Sequence, residues 1–195
     1  MQDPAYLIGI SGVTVISITY SIMLYNNLVQ VRNNVAKAWS NIEVLLKQRH
    51  DELPKLVTAC SEFMEFEQGT LQKITDARSL VQSAAQSADL KLLGSAEYTL
   101  KNALGNLFAV AENYPELKSN QHFTELQKRI SALEDGIADR REFYNESVNI
   151  NNTRIDQIPE ILFARLLGFR AFEHIQIEAT EKQDVDIKRL FQSNR

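Results

Sequence analysis

Between Asp3 and Arg32 the chain carries no Asp, Glu, Lys or Arg. The apolar heart of this window, residues 6–25, spans about 20 residues, which at ~1.5 Å rise each covers the ~30 Å hydrocarbon core of a bilayer. Tyr6 lies near one end and Tyr20 and Tyr25 near the other, where amphipathic rings settle at the headgroup level. Beyond Tyr25 the pattern becomes heptad-like: Leu28, Val31, Val35, Ala38, Ile42 and Leu45 alternate three and four apart, with Trp39 and Leu46 widening the stripe. No glycine or proline separates this coiled-coil-like stripe from the apolar run. One helix is therefore predicted from the bilayer to about Leu53, with Pro54 ending or kinking it.

A second helix is predicted from Pro54, with the stripe Leu56, Val57, Cys60, Phe63, Met64, Leu71, Ile74 and Val81, fraying in the small, polar run 83–89. A third is marked by Leu93, Ala96, Leu100, Ala103, Leu104, Leu107, Val110 and Ala111, and Asn113-Tyr114-Pro115 closes it. Ser119 or Asn120 can cap a fourth, whose stripe is Phe123, Leu126, Ile130, Leu133, Ile137, Tyr144, Val148, Ile155 and Ile158. Pro159 opens a short amphipathic piece with Gly168 as its stop. Long helices joined by short turns pack antiparallel. The expected fold is thus all-α, an N-terminal transmembrane helix followed by an up-and-down bundle of about four helices. The expected division is an anchor at 1–27, a bundle at 28–172 and a loose, polar tail at 173–195.

Composition agrees with long helices: 195 residues are 44% hydrophobic with only 7 Gly and 4 Pro. A cleaved signal peptide would want a basic start and a small-residue cleavage site, whereas this chain opens Met-Gln-Asp-Pro. A buried core helix is the other competing reading of the apolar run, which carries several Ser and Thr. Of the flanks, the C-terminal one holds Arg32, Lys37, Lys47 and Arg49, the N-terminal one only Asp3 beside the α-amine. The positive-inside rule then puts the bundle in the cytoplasm. A net charge of -4 gives no electrostatic reason to bind nucleic acid. The lone Cys60 cannot form an internal bridge, and it falls on an apolar stripe, as an inert core thiol does.

Candidate chemistry is sparse. His50, His122 and His174 are scattered, none with a second histidine or a cysteine three or four positions away, and neither His-Glu-x-x-His, Cys-x-x-Cys nor a Gly-rich phosphate loop occurs. A di-iron bundle needs Glu-x-x-His, which is missing at every histidine. No catalytic, metal-binding or cofactor-binding residue is expected, and no enzyme.

Three features point to contacts instead. Ser17 and Ser21 form a small-xxx-small pair with Gly9 two turns earlier, a face on which anchors can associate or simply meet lipid. Asn151 holds a heptad position, where a buried amide fixes register or binds a partner, unless it sits at the exposed end of the bundle. The segment 161–172 concentrates Phe163, Phe169 and Phe172 with three Leu and an Ile beside Arg165 and Arg170. It either closes the bundle or forms an interface, with Phe163, Phe169, Arg170 and Phe172 as its residues.

The chain also resembles the LemA family. Tyr25, Asn26, Leu28 and Val29, then Ala38, Trp39, Ser40 and Ile42, then Leu46, Arg49, Asp51, Pro54, Leu56 and Val57 fill the places of that family's signature. Ala111-Glu-Asn-Tyr-Pro-Glu-Leu-Lys-Ser-Asn120, Arg141-Glu-Phe-Tyr-Asn145 and Asn152-Thr-Arg-Ile155 match its later motifs, and Asn151 stands where the family usually has tyrosine. The resemblance runs from about residue 20 to 170 and implies a single-pass protein of the bacterial inner membrane with a helical bundle and no established reaction. Together these readings give a membrane-anchored scaffold or adaptor, or alternatively a lipid-contacting or membrane-remodelling protein acting through 161–172. The expected partners are the lipid bilayer and a protein partner or second copy of the chain.

Overall fold

The computed structural model describes residues 4–176, with side chains from Gly9 onward. Its helices are α1 (Pro4–Ser61), α2 (Gln68–Ser87), α3 (Leu90–Ala111), α4 (Pro115–Ser119), α5 (Gln121–Asp156) and α6 (Glu160–Leu167). A 3-10 turn lies at Glu65–Glu67, and there is no strand among the described residues. The fold class is the all-α one expected. The chain forms two compact units, Met1–Asn41 with Glu142–Glu173, and Ile42–Arg141 with His174–Arg195. Both α1 and α5 contribute to each.

In the first unit, every residue of α1 from Gly9 to Tyr20 is exposed. These include Val13 at 67% and Ile16 at 70%, large side chains that a water-soluble helix would bury. The hydroxyls of Thr14, Thr19 and Ser21 donate to the carbonyls of Ile10, Val15 and Ser17 at 2.9, 2.9 and 2.8 Å. These groups are thereby satisfied within the helix, as a hydrocarbon surround demands. α1 is the one helix among the described residues long and apolar enough to cross a membrane. A buried face begins at Leu24 and continues through Leu28, Val35 and Ala38. Its counterparts on α5 are Tyr144, Val148, Asn151 and Ile155. Leu28 and Ile155 share a core cluster with Ala164 of α6. Trp39 is half-buried, its ring set edge-on to Tyr144 at 5.9 Å.

The second unit departs from expectation at Pro54. Instead of ending there, α1 runs on to Ser61 with the proline inside it. A proline in a helix interior costs about 3 kcal/mol, since it lacks an N–H and leaves the carbonyl four residues back unpaired. That carbonyl belongs to His50, and Arg78 of α2 donates its Nε–H to it at 3.0 Å. Leu53 and Leu56, either side of the proline, are 1% and 0% exposed. Each contributes about 1.5–3 kcal/mol by burial, enough together to offset the break. The chain turns after Cys60, whose carbonyl accepts from the amides of both Phe63 and Met64.

α2 and α3 pack on each other across a two-residue turn. Ala88 takes a left-handed conformation (φ 52°), and Asp89 caps α3 by accepting from the amides of Lys91 and Leu92. α3 ends at Ala111, and α4 starts with Pro115 in its first turn. Of the two cap candidates for α5 it is Asn120 that serves, its Oδ1 accepting from Phe123 N at 3.1 Å.

The tail is not loose from its start. Ile175 is 3% exposed, and the carbonyl of Gln176 lies where a Cβ on Gly94 of α3 would stand, 2.4 Å away, so only glycine admits the chain there. Residues 177–195, the rest of the expected tail, lie outside the described residues.

The Pro54 arrangement makes a specific prediction. Arg78→Met should destabilise the detergent-solubilised protein by about 1–2 kcal/mol, the loss of a hydrogen bond to a partly buried carbonyl. In a Pro54→Ala background the alanine amide serves His50 itself, so the loss should shrink. Thermal melts of the four-protein cycle measure this coupling.

Candidate functional site

Three arrangements of polar side chains are built into the fold. In the first unit, α5 holds the segment after α6 by its backbone. Asn152 makes a two-point clamp on Phe172, its Nδ2 donating to the carbonyl at 2.9 Å and its Oδ1 accepting from the amide at 3.0 Å. Asn151, 1% exposed, donates to Arg170 O at 3.4 Å and to Asn152 Oδ1 at 3.2 Å. Of the two readings of Asn151 the buried amide is the one found. Tyr144 completes the row by donating its hydroxyl to Glu173 O at 3.1 Å. Burial first, and the Glu173 carboxylate second, push that phenol above its ordinary pKa, so it stays a donor.

α6 is seated by a second set of contacts. Arg154 in the last turn of α5 donates to Glu160 at 2.7 Å, and Glu160 is 6% exposed. Gly168 adopts φ 74°, and Phe169 N closes the helix on Ala164 O at 2.9 Å. Phe163 and Phe169 are half-buried against the Leu28, Ile155 and Ala164 cluster. The Phe169 ring also meets Tyr25 edge-on at 6.3 Å and the Arg32 guanidinium at 5.7 Å.

Of the other residues singled out from the pattern, Phe172 is half-buried in the clamped segment and Arg170 is exposed. Ile158, Leu162 and Leu166, taken as stripe or closure, point out of the unit at 86%, 69% and 82% exposure. Turning at Pro159 puts Glu160 and Ala164 inward, which leaves Leu162 and Leu166 on the opposite face. Gly9, Ser17 and Ser21 lie on the apolar part of α1; Gly9 and Ser17 are exposed and Ser21 is half-buried.

In the second unit, Arg49 is 2% exposed and donates to Glu97 of α3. It was counted from the pattern with the basic flank, but its burial removes it from that set. Its place between Leu46 and Leu53 is in phase with the apolar stripe, and that phase was the available sign. The Glu134 carboxylate of α5 shares a cleft of about 140 Å³ with Arg49, Glu97 and Lys101, and its Oε1 is buried without a hydrogen-bond partner. Desolvation raises its pKa; Arg49 lowers it in part, but Glu97 already faces that cation. Nearby, Glu52 of α1 accepts from Arg129 of α5 at 2.6 Å and from Lys55 at 3.0 Å.

None of these groups resembles a reaction centre. Among the described residues no three His, Cys, Asp or Glu are grouped so as to hold a metal. Burial pushes the Cys60 thiol up to about 12, far from a nucleophile's range. His50 is driven below its ordinary value by burial and then by Arg78, whose guanidinium donates to its Nε2 at 2.6 Å. It serves as a neutral acceptor there.

The family model described as the LemA family matches residues 38–188. The chain belongs to the LemA family. It is 28% identical to magnetosome protein MamQ 2 of Paramagnetospirillum magneticum, over 95% of this chain and 77% of that protein. It is 25% identical to magnetosome protein MamQ of Magnetospirillum gryphiswaldense over the same shares. Protein LemA of Metamycoplasma hominis is 27% identical over 85% of this chain and 74% of its own length.

The residues matching LemA family motifs can now be given physical work. Arg49 pairs with Glu97, Pro54 is bridged by Arg78, Asn120 caps α5, Asn152 clamps Phe172 and Arg154 holds Glu160. Asn152 was not expected to be a contact residue, and Tyr144 was expected only as a stripe position. The sign that could have found Asn152 is an Asn-Asn pair late in a long helix, where asparagine is a poor helix former.

Two outcomes follow. Asn152→Ala should free the clamped segment, lowering hydrogen-exchange protection of the Phe172 amide by about 5- to 150-fold, as the loss of ~1–3 kcal/mol implies. For Glu134, the raised native pKa means the folded state holds the proton more tightly than the unfolded state. The resulting stability is full below the ordinary carboxylate range and lost as pH rises through the native value. Glu134→Gln should therefore flatten the fall in melting temperature as pH rises above the ordinary carboxylate range, with the variant gaining on the native protein at higher pH.

Proposed function

We propose that this member of the LemA family is a membrane-anchored scaffold or adaptor, held in the bacterial inner membrane by α1 with its bundle in the cytoplasm. The observation that carries the reading is the change of environment along one unbroken helix. The exposed apolar residues from Gly9 give way at Leu24 to a face buried by protein. A helix of that kind transmits the position of a bilayer directly to a folded body, without a hinge of glycine or proline between them. The orientation rests on Arg32, Lys37 and Lys47, all exposed and all just beyond the apolar segment. The adaptor part rests on where the polar chemistry goes: the buried ions and amides bind helix to helix, leaving the outer faces for partners.

The orientation is tested in spheroplasts. A cysteine at the exposed position Glu43, introduced as Glu43→Cys, should resist a membrane-impermeant thiol reagent until the cells are permeabilised, while the buried Cys60 stays silent throughout. Labelling before permeabilisation would reverse the topology. Crosslinking from native membranes reads out the scaffold role, which is lost if only lipid is recovered.

A further inference from the structure

The outward face of α6 has no partner within its unit, although it is among the most apolar surfaces of the protein. Leu162 and Leu166 are one turn apart and 69% and 82% exposed; Ile158, in the turn before, is 86% exposed, and Leu167 is 48% exposed. The inward face, Glu160 and Ala164, is fully used. What covers the outward face follows from where α6 is held. Ala164 touches the cluster of Leu28, while Phe169 lies against Tyr25 and under Arg32. Those three α1 residues begin where the exposed apolar segment stops, since Leu24 is the first buried position after it. From Tyr25 to Arg32 is about 10 Å along a helix at ~1.5 Å per residue. That is the depth scale of the headgroup layer and the acyl boundary, where an amphipathic helix sinks its apolar side about 5–10 Å.

We propose that α6, with Ile158, is an interfacial foot: it lies in the surface of the same leaflet that α1 leaves, burying Ile158, Leu162 and Leu166 in lipid. Charge agrees with this occupant. Arg32, Arg165 and Arg170 are all exposed, with Arg165 flanking the two leucines of α6. The Glu160 carboxylate is neutralised by Arg154. Arginine beside exposed leucine suits phospholipid headgroups, and anionic ones most, with the guanidinium reaching the phosphates while the leucines sit below them. The clamp of Asn152 and Asn151 on residues 170–172 then has a purpose, because it fixes the exit from α6 and so the tilt of the foot. This inference rests on the anchoring of α1 and adds a second, peripheral lipid contact to it.

The test uses the full-length chain in vesicles of phosphatidylcholine and phosphatidylglycerol, with an environment-sensitive fluorophore on one introduced cysteine at a time. Native Cys60 can stay, being fully buried. The positions are Leu162→Cys and Leu166→Cys on α6, Glu142→Cys as an exposed control on α5, and Ile16→Cys within the apolar segment. Each replaces an exposed side chain, so the helical circular dichroism and melting temperature should not move. Expected is a blue shift at both α6 positions with quenching by lipids spin-labelled high on the acyl chain, strong quenching at Ile16 and none at Glu142. If Ile16 is quenched while the α6 positions behave like Glu142, the foot is wrong and the anchor stands. A blue shift at α6 without lipid quenching, fading as protein is diluted in the vesicles, would also overturn it by showing that a second copy covers the face. Absence of quenching at Ile16 would overturn the anchor and the foot together.

Discussion

A helix that starts in hydrocarbon and finishes in a protein core must keep its backbone hydrogen bonds internal in the first environment and present an unbroken apolar face in the second. α1 meets both demands over Pro4–Ser61, and the other elements are arranged on the face it offers. In its apolar part the hydroxyls of Thr14, Thr19 and Ser21 bond back to their own helix, which spares those polar groups from lipid. In its bundle part the only break in the ladder is at Pro54, and it is mended from outside by Arg78. If that carbonyl were left bare, the helix would gain from ending at Leu53, and the buried positions Leu56 and Cys60 would lose their register.

Apolar stripes alone do not choose one packing. A heptad pattern tolerates a slide of one heptad with most of its burial retained, whereas a buried ion does not, because the slide leaves it uncompensated. α1 places such groups within its stripe: Arg49 against Glu97 of α3, and Glu52 against Arg129 of α5. The first unit uses amides for the same purpose, with Asn151 and Asn152 holding backbone groups that only one placement of residues 170–172 brings into range. Arg49, Glu52, Asn151 and Asn152 thus help fix which helix and which segment face each other. The apolar side of α6, with Leu162 and Leu166 exposed, stays outside that network.

Much of this was legible in the chain. Period, length and local residue type give the membrane-length segment, the stripe from Leu28 to Leu46, the closure at Asn113-Tyr114-Pro115, a cap at Ser119 or Asn120 and the stop at Gly168, because each depends on residues within about one or two turns of each other. Arg49 was half-legible, since its phase marks it as buried but no local rule names Glu97 as its partner. Two places stayed open to local reading. Pro54 reads as the end of a helix or a kink, and 161–172 as bundle closure or an interface; α1 runs on past the proline, and Leu162 and Leu166 face outward.

The sequence by itself determined the all-α class, the apolar segment and most helix limits, because propensity, capping and periodicity are short-range. Tertiary structure decided the rest. Whether a proline ends a helix depends on a donor 24 positions further along the chain, as Arg78 is from Pro54. Whether an apolar face is core or surface depends on which of two opposite faces a neighbour occupies. Both are long-range facts, and a pattern that repeats every turn carries no record of them.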